Sequence, residues 1–188
     1  FKAEGEGVSA RFKYENYVQQ WLDLIRGAGL KNIYTNLKMG ERKPILPFSD
    51  SRLLNSLNHT FWFLPSVASC FAMKNLMMKR GNFFYQDFEI IVCAGKKAGI
   101  GAKSIGPVRE KMLNPLKSKT ITLSCGKLTT GVTVKPWTGL FMLRNTSSPE
   151  TYFQTAFRVQ SPWTIGIDNS PNKEEILKKE CYVFDFSP

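Results

Sequence analysis

Histidine occurs once in this chain of 188 residues, at His59, and the four cysteines, Cys70, Cys93, Cys125 and Cys181, stand far apart with no CxxC pair. Both facts argue against a zinc site of ordinary ligand spacing and against a Ser/His/Asp or Cys/His catalytic set. The expectation is buried, reduced thiols in a reducing compartment, the cytoplasm, and an imidazole that is solvated or structurally bonded at the start of a strand. No apolar run approaches the roughly 18 residues of a membrane span, and the opening FKAEGEGVSARFK has no signal-peptide pattern. Carboxylates are few and scattered: Glu89 precedes an apolar run, Glu174, Glu175 and Glu180 read as one polar helix, and Asp185 interrupts the last strand. None is placed as a pair for general acid–base work.

A Walker loop is also missing. Its pattern needs Gly, four spacers and Gly-Lys-Ser/Thr, so that backbone N–H groups wrap a phosphate while the lysine reaches it. GAKS at Gly101 to Ser104 puts Ala in the lysine's place, and after Gly126-Lys127 comes Leu128 where Ser or Thr is needed.

What the chain does have is positive charge and apolar bulk. The 26 basic residues against 15 acidic ones give a formal charge of +11, which favours a polyanionic partner. Hydrophobic residues at 43% and aromatics at 13% suffice for a sizeable core.

Along the chain, Phe1 to Ala10 reads as a linker or entry loop. Apolar residues at helical spacing predict an amphipathic helix from Arg11 to Gly27. Lys31 to Asp50, with its glycine and prolines, reads as a loop, and Ser51 to Asn58 as a short helix capped by Asp50. Strands are predicted at His59–Leu64, Phe88–Ala94, Lys119–Cys125, Gly139–Leu143 and Cys181–Phe186. Helices fall between them: Val67–Lys79, capped by Ser66 and stopped by Gly81, a second from Pro107 to about Leu116, and a polar one carrying Gln154 and Arg158. Strands alternating with helices predict an α/β fold, a mostly parallel sheet with helices on both faces. Ligand sites in such sheets lie at the carboxyl ends of the strands.

Two stretches resemble a known family. LSCGKLTTGVTVKPW resembles motif V, and SPETYFQTAFRVQSPW motif VI, of superfamily 2 helicases; FWFLPS stands in the place of motif IV, and IIVCAG resembles the next strand and loop. Within the superfamily the wording is most similar to helicase subunits of restriction–modification systems and related phage-defence proteins. Gln154 and Arg158 match motif VI, while Phe157 replaces its Gly and Ser161 its last Arg; Thr133 stands where motif V often has Asp.

The resemblance implies a RecA-like, P-loop-NTPase-like domain over residues 59–188, preceded by an N-terminal linker or helical segment over 1–58. It implies the C-terminal lobe of an ATP-dependent DNA helicase or translocase that uses ATP and Mg²⁺, both held mainly by a first lobe elsewhere in the full-length chain. Arg158 would then be the catalytic arginine finger, Gly131, Thr133, Gln154, Arg158 and Arg144 the ATP contacts, with Arg144 substituting for the second motif VI arginine. Ser66, Gly95, Lys96, Lys97, Lys127, Thr129 and Thr130 would contact DNA, expected to be double-stranded. Nuclease or methyltransferase domains are the further partners implied, no membrane partner is expected, and without a Walker loop the 188-residue chain alone is expected not to hydrolyse ATP.

Two other readings stand beside this one. A Rossmann-like small-molecule enzyme such as a methyltransferase needs a Gly-rich first loop with an acidic residue about 20 positions on, a pairing the chain does not show. A non-catalytic basic nucleic-acid-binding module needs only the charge and the aromatics.

Overall fold

The computed structural model describes residues 1–28, 46–95, 105–126, 128, 132–166 and 174–186. In chain order the elements are β1 (Ala3–Glu4), β2 (Arg11–Phe12), α1 (Glu15–Ile25), α2 (Ser51–Leu54), β3 (His59–Phe63), α3 (Val67–Met77), α4 (Phe83–Gln86) and β4 (Glu89–Cys93). There follow α5 (Gly106–Met112), β5 (Thr120–Ser124), β6 (Gly139–Met142), α6 (Pro149–Ala156), β7 (Thr164–Gly166), β8 (Glu174–Ile176) and β9 (Tyr182–Asp185).

Strands β3, β4, β5, β6 and β9 form one all-parallel sheet in the order β4-β5-β3-β6-β9. This is the α/β architecture expected, compatible with a RecA-like fold. Every residue of the central strands β3, β5 and β6 is buried, because helices cover both faces. Alternation along β3 divides the core: Trp62 packs with α1 and α3 on one face, and Phe61 and Phe63 with α5 and the end of α6 on the other. Stacked rings reinforce each half, Trp62 on Phe141 at 4.6 Å and Phe61 on Trp137 at 4.7 Å, each pair adding about 0.5–1.5 kcal/mol beyond area burial.

Chain direction explains that division. From β3 the chain crosses two places one way to β4, then turns back through β5 to β6 and β9. Right-handed crossovers therefore place α3 on one face and α5 and α6 on the other. The crevice where the direction changes lies at the carboxyl end of β3, between β5 and β6.

Local chemistry accounts for the helix starts. Asp50 accepts from Arg52 N at 2.9 Å to cap α2, and Ser66 and Ser69 cap α3 reciprocally. Helix α3 ends at Met77, so Lys79 and Arg80 lie just beyond its last turn, where Lys79 pairs with Glu15.

The N-terminus departs from the expected loop. Residues 3–12 include the antiparallel pair β1–β2, which Asn75 fastens to α3 by donating to the carbonyls of Gly7, Val8 and Ala10 at 2.9, 3.2 and 2.9 Å. The helix predicted from Arg11 starts at Glu15, and its Leu22 and Ile25 enter the sheet core. The expectation for residues 174–176 is overturned as well: Glu174–Ile176 is strand β8, paired antiparallel with β7, not a polar helix. A short isolated helix gains little from propensity, and here pairing with Thr164–Gly166 supplies the backbone partners.

Candidate ligand-binding edge of the sheet

Four strand ends converge at the crevice. After β3, Ser66 Oγ accepts from Ser69 N at 3.1 Å, so the expected DNA-contacting hydroxyl serves as helix cap, with the positive end of the 11-residue α3 behind it. After β4, Gly95 adopts φ +77°, and a Cβ there would stand 3.3 Å from Val67 Cγ1, so glycine lets this turn close on α3. After β5, Ser124 Oγ donates to Cys93 O at 2.9 Å, locking two strand ends together. After β6, Arg144 reaches across the edge, its Nη1 donating to Cys125 O at 3.2 Å and its guanidinium lying 5.0 Å from the centroid of Phe63. Arg144 Nε is buried without a hydrogen-bond partner, an orphan donor that favours an acceptor.

Thiols sit beneath this edge. Cys70 is hydrogen-bonded to Cys125, and that contact together with burial and the nearby Cys93 raises the Cys70 thiol far above its usual value. It stays protonated and unreactive at neutral pH. Cys70 and Cys93 are buried as expected; Cys125 and Cys181 are half-buried.

The residues of the motif VI resemblance occupy another part of the molecule. Ser148 caps α6 and Pro149 begins it, and the helix carries the chain back from the carboxyl end of β6. Gln154 donates to Glu150 Oε1 at 2.7 Å, one turn earlier. Arg158, in the turn beyond α6, donates from Nε to Gln154 O at 3.0 Å and from Nη1 to Val132 O at 2.5 Å. Gln154 and Arg158 are thus joined through a backbone carbonyl, with Val132 buried and Thr133 exposed beside them.

Lys178 fixes where that turn lies. Its Nζ donates to Lys135 O, Trp137 O and Val159 O at 2.8, 3.0 and 2.9 Å, which places Val159 beside the start of β6. Burial lowers this ammonium to about 8. Arg158 therefore stands toward the amino edge, whereas Arg144, Ser66 and Gly95 share the carboxyl edge. Gly131, Lys96, Lys97, Lys127, Thr129 and Thr130 lie outside the described residues. No group of three or more metal-ligating side chains is present among the described residues.

Sequence reasoning did not register the Arg144–Phe63 contact or the role of Lys178, because both depend on segments far apart in the chain. The exposed Phe153 and Phe157, stacked at 6.2 Å on the outer face of α6, had a usable signal in their i, i+4 spacing. His59 is buried and doubly bonded, Nδ1 to Thr120 Oγ1 at 2.9 Å and Nε2 to Pro115 O at 2.8 Å, the structural role expected of it.

No family profile matches the chain. Over 131 residues it is 37% identical to a protein of Mycoplasma pneumoniae named as the C-terminus of a type II restriction enzyme and methyltransferase. The aligned stretch covers 69% of this chain and 17% of that relative, so the chain spans only a small part of the length of the relative it matches. No described helix is long and apolar enough to cross a membrane.

Proposed function

We propose that this chain is the C-terminal RecA-like lobe of an ATP-dependent DNA helicase or translocase belonging to a restriction–modification or phage-defence enzyme. The observation that carries the reading is the Arg158–Val132 hydrogen bond. It joins the two stretches that resemble helicase motifs V and VI, which are separate in sequence. The all-parallel sheet is compatible with a RecA-like lobe, and the similarity to a restriction enzyme and methyltransferase supports the restriction–modification part of the reading.

The side chains present fit a bound polyphosphate. The exposed Thr133 stands beside Val132, which Arg158 bonds, and Arg158 is a planar cation of the kind that holds phosphate. In this reading Arg158, Thr133, Gln154 and Gly131 hold the nucleotide, with Mg²⁺ held mainly by the first lobe; Arg144, on the opposite edge of the sheet, is not part of this set. ATP and its metal supply the phosphoryl group whose transfer drives movement. Arg158 stabilises the charge that develops on that group, and its bonds to two carbonyls orient the guanidinium beforehand. Ser66, Gly95, Lys96, Lys97, Lys127, Thr129 and Thr130 take DNA phosphates, as the positive charge favours.

The test is ATP turnover. The 188-residue chain alone is expected to show none, and measurable turnover by it, with contaminants excluded, overturns the assignment of a missing first lobe. In the full-length protein Arg158→Ala should abolish hydrolysis while ATP binding persists; retained hydrolysis removes the catalytic role from Arg158 and leaves it structural.

A further inference from the structure

Two adjoining cavities, of about 490 and 430 Å³, open at the amino edge of the sheet, opposite the crevice. Trp163, Pro115 and Pro136 line both, so the indole stands between them. The ring is steadied by an edge contact to His59 at 6.4 Å, and its backbone carbonyl accepts from Leu177 N at 2.9 Å. A half-buried indole is thereby presented in a concave, rigid setting.

The charges around it have one dominant sign. Arg109 and Lys135 line one cavity and Lys178 and Lys179 the other, against the single acid Glu180, whose carboxylate accepts from the Tyr182 hydroxyl. Lys178 spends its hydrogen bonds on three carbonyls and contributes only field. Arg109, Lys135 and Lys179 are exposed and form no ion pair among the described residues, unlike Arg11, Arg26, Arg52, Lys79 and Lys111.

We propose that this amino edge is a single-stranded nucleic-acid contact, one base lying against Trp163 and the flanking phosphates on Arg109, Lys135 and Lys179. An aromatic platform beside unpaired cations is the chemistry that holds unstacked bases and their backbone. Stacked pairs in a duplex do not present a base face to a ring enclosed by Pro115 and Pro136. The contact is separate from the carboxyl-edge loops; Thr133, proposed above to hold nucleotide, lines the smaller cavity, so the contact is tested without ATP.

The test is fluorescence anisotropy of a labelled oligo-dT of about 12 nucleotides, a length suited to one such site, with the 188-residue chain and no ATP. Trp163→Ala should weaken binding about tenfold, and Trp163→Phe should retain it. The Lys135→Ala/Lys179→Ala double variant should flatten the logarithmic salt dependence by about 1.4, two phosphate contacts on a single strand. Unchanged affinity in a folded Trp163→Ala protein overturns the proposal. So does an equal loss on duplex DNA, or equal competition by polyglutamate, which marks an acidic protein partner instead. If Trp163→Ala fails to fold, the lysine variant decides, and an unaltered salt slope overturns the proposal. ATP turnover in the full-length Arg158→Ala protein is a separate readout, so either reading can fail alone.

Discussion

Arg158 donates from Nη1 to the carbonyl oxygen of Val132, 26 residues earlier, at 2.5 Å, while its Nε holds Gln154 O at 3.0 Å. One guanidinium thus closes the turn after α6 and holds the buried Val132 segment against it. The group proposed to act on nucleotide is also a brace of the fold.

That double duty gives Arg158→Ala a stability signature. Two carbonyls lose a charged donor, and the expected cost is about 1–3 kcal/mol. Chemical denaturation of the 188-residue chain checks it. A cost near zero means that the brace contributes nothing, and a purely functional role remains for Arg158.

His59 should make the protein acid-sensitive. Burial depresses its pKa, with the bond to Pro115 O opposing the shift. The unfolded chain therefore binds the proton more readily, and stability present above an unfolded value of about 6.5 declines as pH falls below it, by at most about 1.4 kcal/mol per pH unit. Urea midpoints at neutral and mildly acidic pH should fall more steeply for the wild type than for His59→Gln. Parallel profiles remove His59 as the cause.

Gly139 begins β6 under Leu57. A Cβ there would stand 2.6 Å from Leu57 Cδ2 and 3.1 Å from Thr60 Cγ2, and Leu57 is fully buried. Gly139→Ala should destabilise by about 1–3 kcal/mol through overpacking. At Gly166 a Cβ meets nothing within 4 Å, so Gly166→Ala should stay within about 0.5 kcal/mol. Equal melting shifts for the two variants contradict the packing account.

Asn75 should control the N-terminal strand pair. Asn75→Ala strips donors from the carbonyls of Gly7, Val8 and Ala10, leaving β1–β2 attached mainly by Phe12 and Ala10. Hydrogen exchange in residues 3–12 should accelerate while that of β3 and β5 stays slow, since local opening needs little of the global free energy. Uniform acceleration would instead mean that the hairpin belongs to the cooperative core.

Legibility in the sequence followed burial. Strands β3, β5 and β6 are buried on both faces and read as short strand runs, FWF and GLFM nearly all apolar and TITLS rich in β-branched residues, and the Asp50 and Ser66 caps are local chemistry of a few neighbouring residues. Strand β8 was not legible: EEI has no period of its own, and its state was decided by pairing with β7. For the candidate sites, Arg158 and Gln154 were singled out, but the acceptor at Val132 was not, nor was the stacking of Arg144 on Phe63, across 81 sequence positions.

By itself, the sequence determined the α/β class, the central strands, the strongly positive charge and the lack of a Walker loop, because each follows from residue type and local spacing. Only the tertiary structure decided the strand order, and with it which side chains meet. The reversal at β3 sends Ser66, Gly95 and Arg144 to one edge of the sheet; the return of α6 carries Arg158 toward the other, near Lys178 and Trp163. Edges are created by long-range strand pairing, which no local pattern of residues encodes.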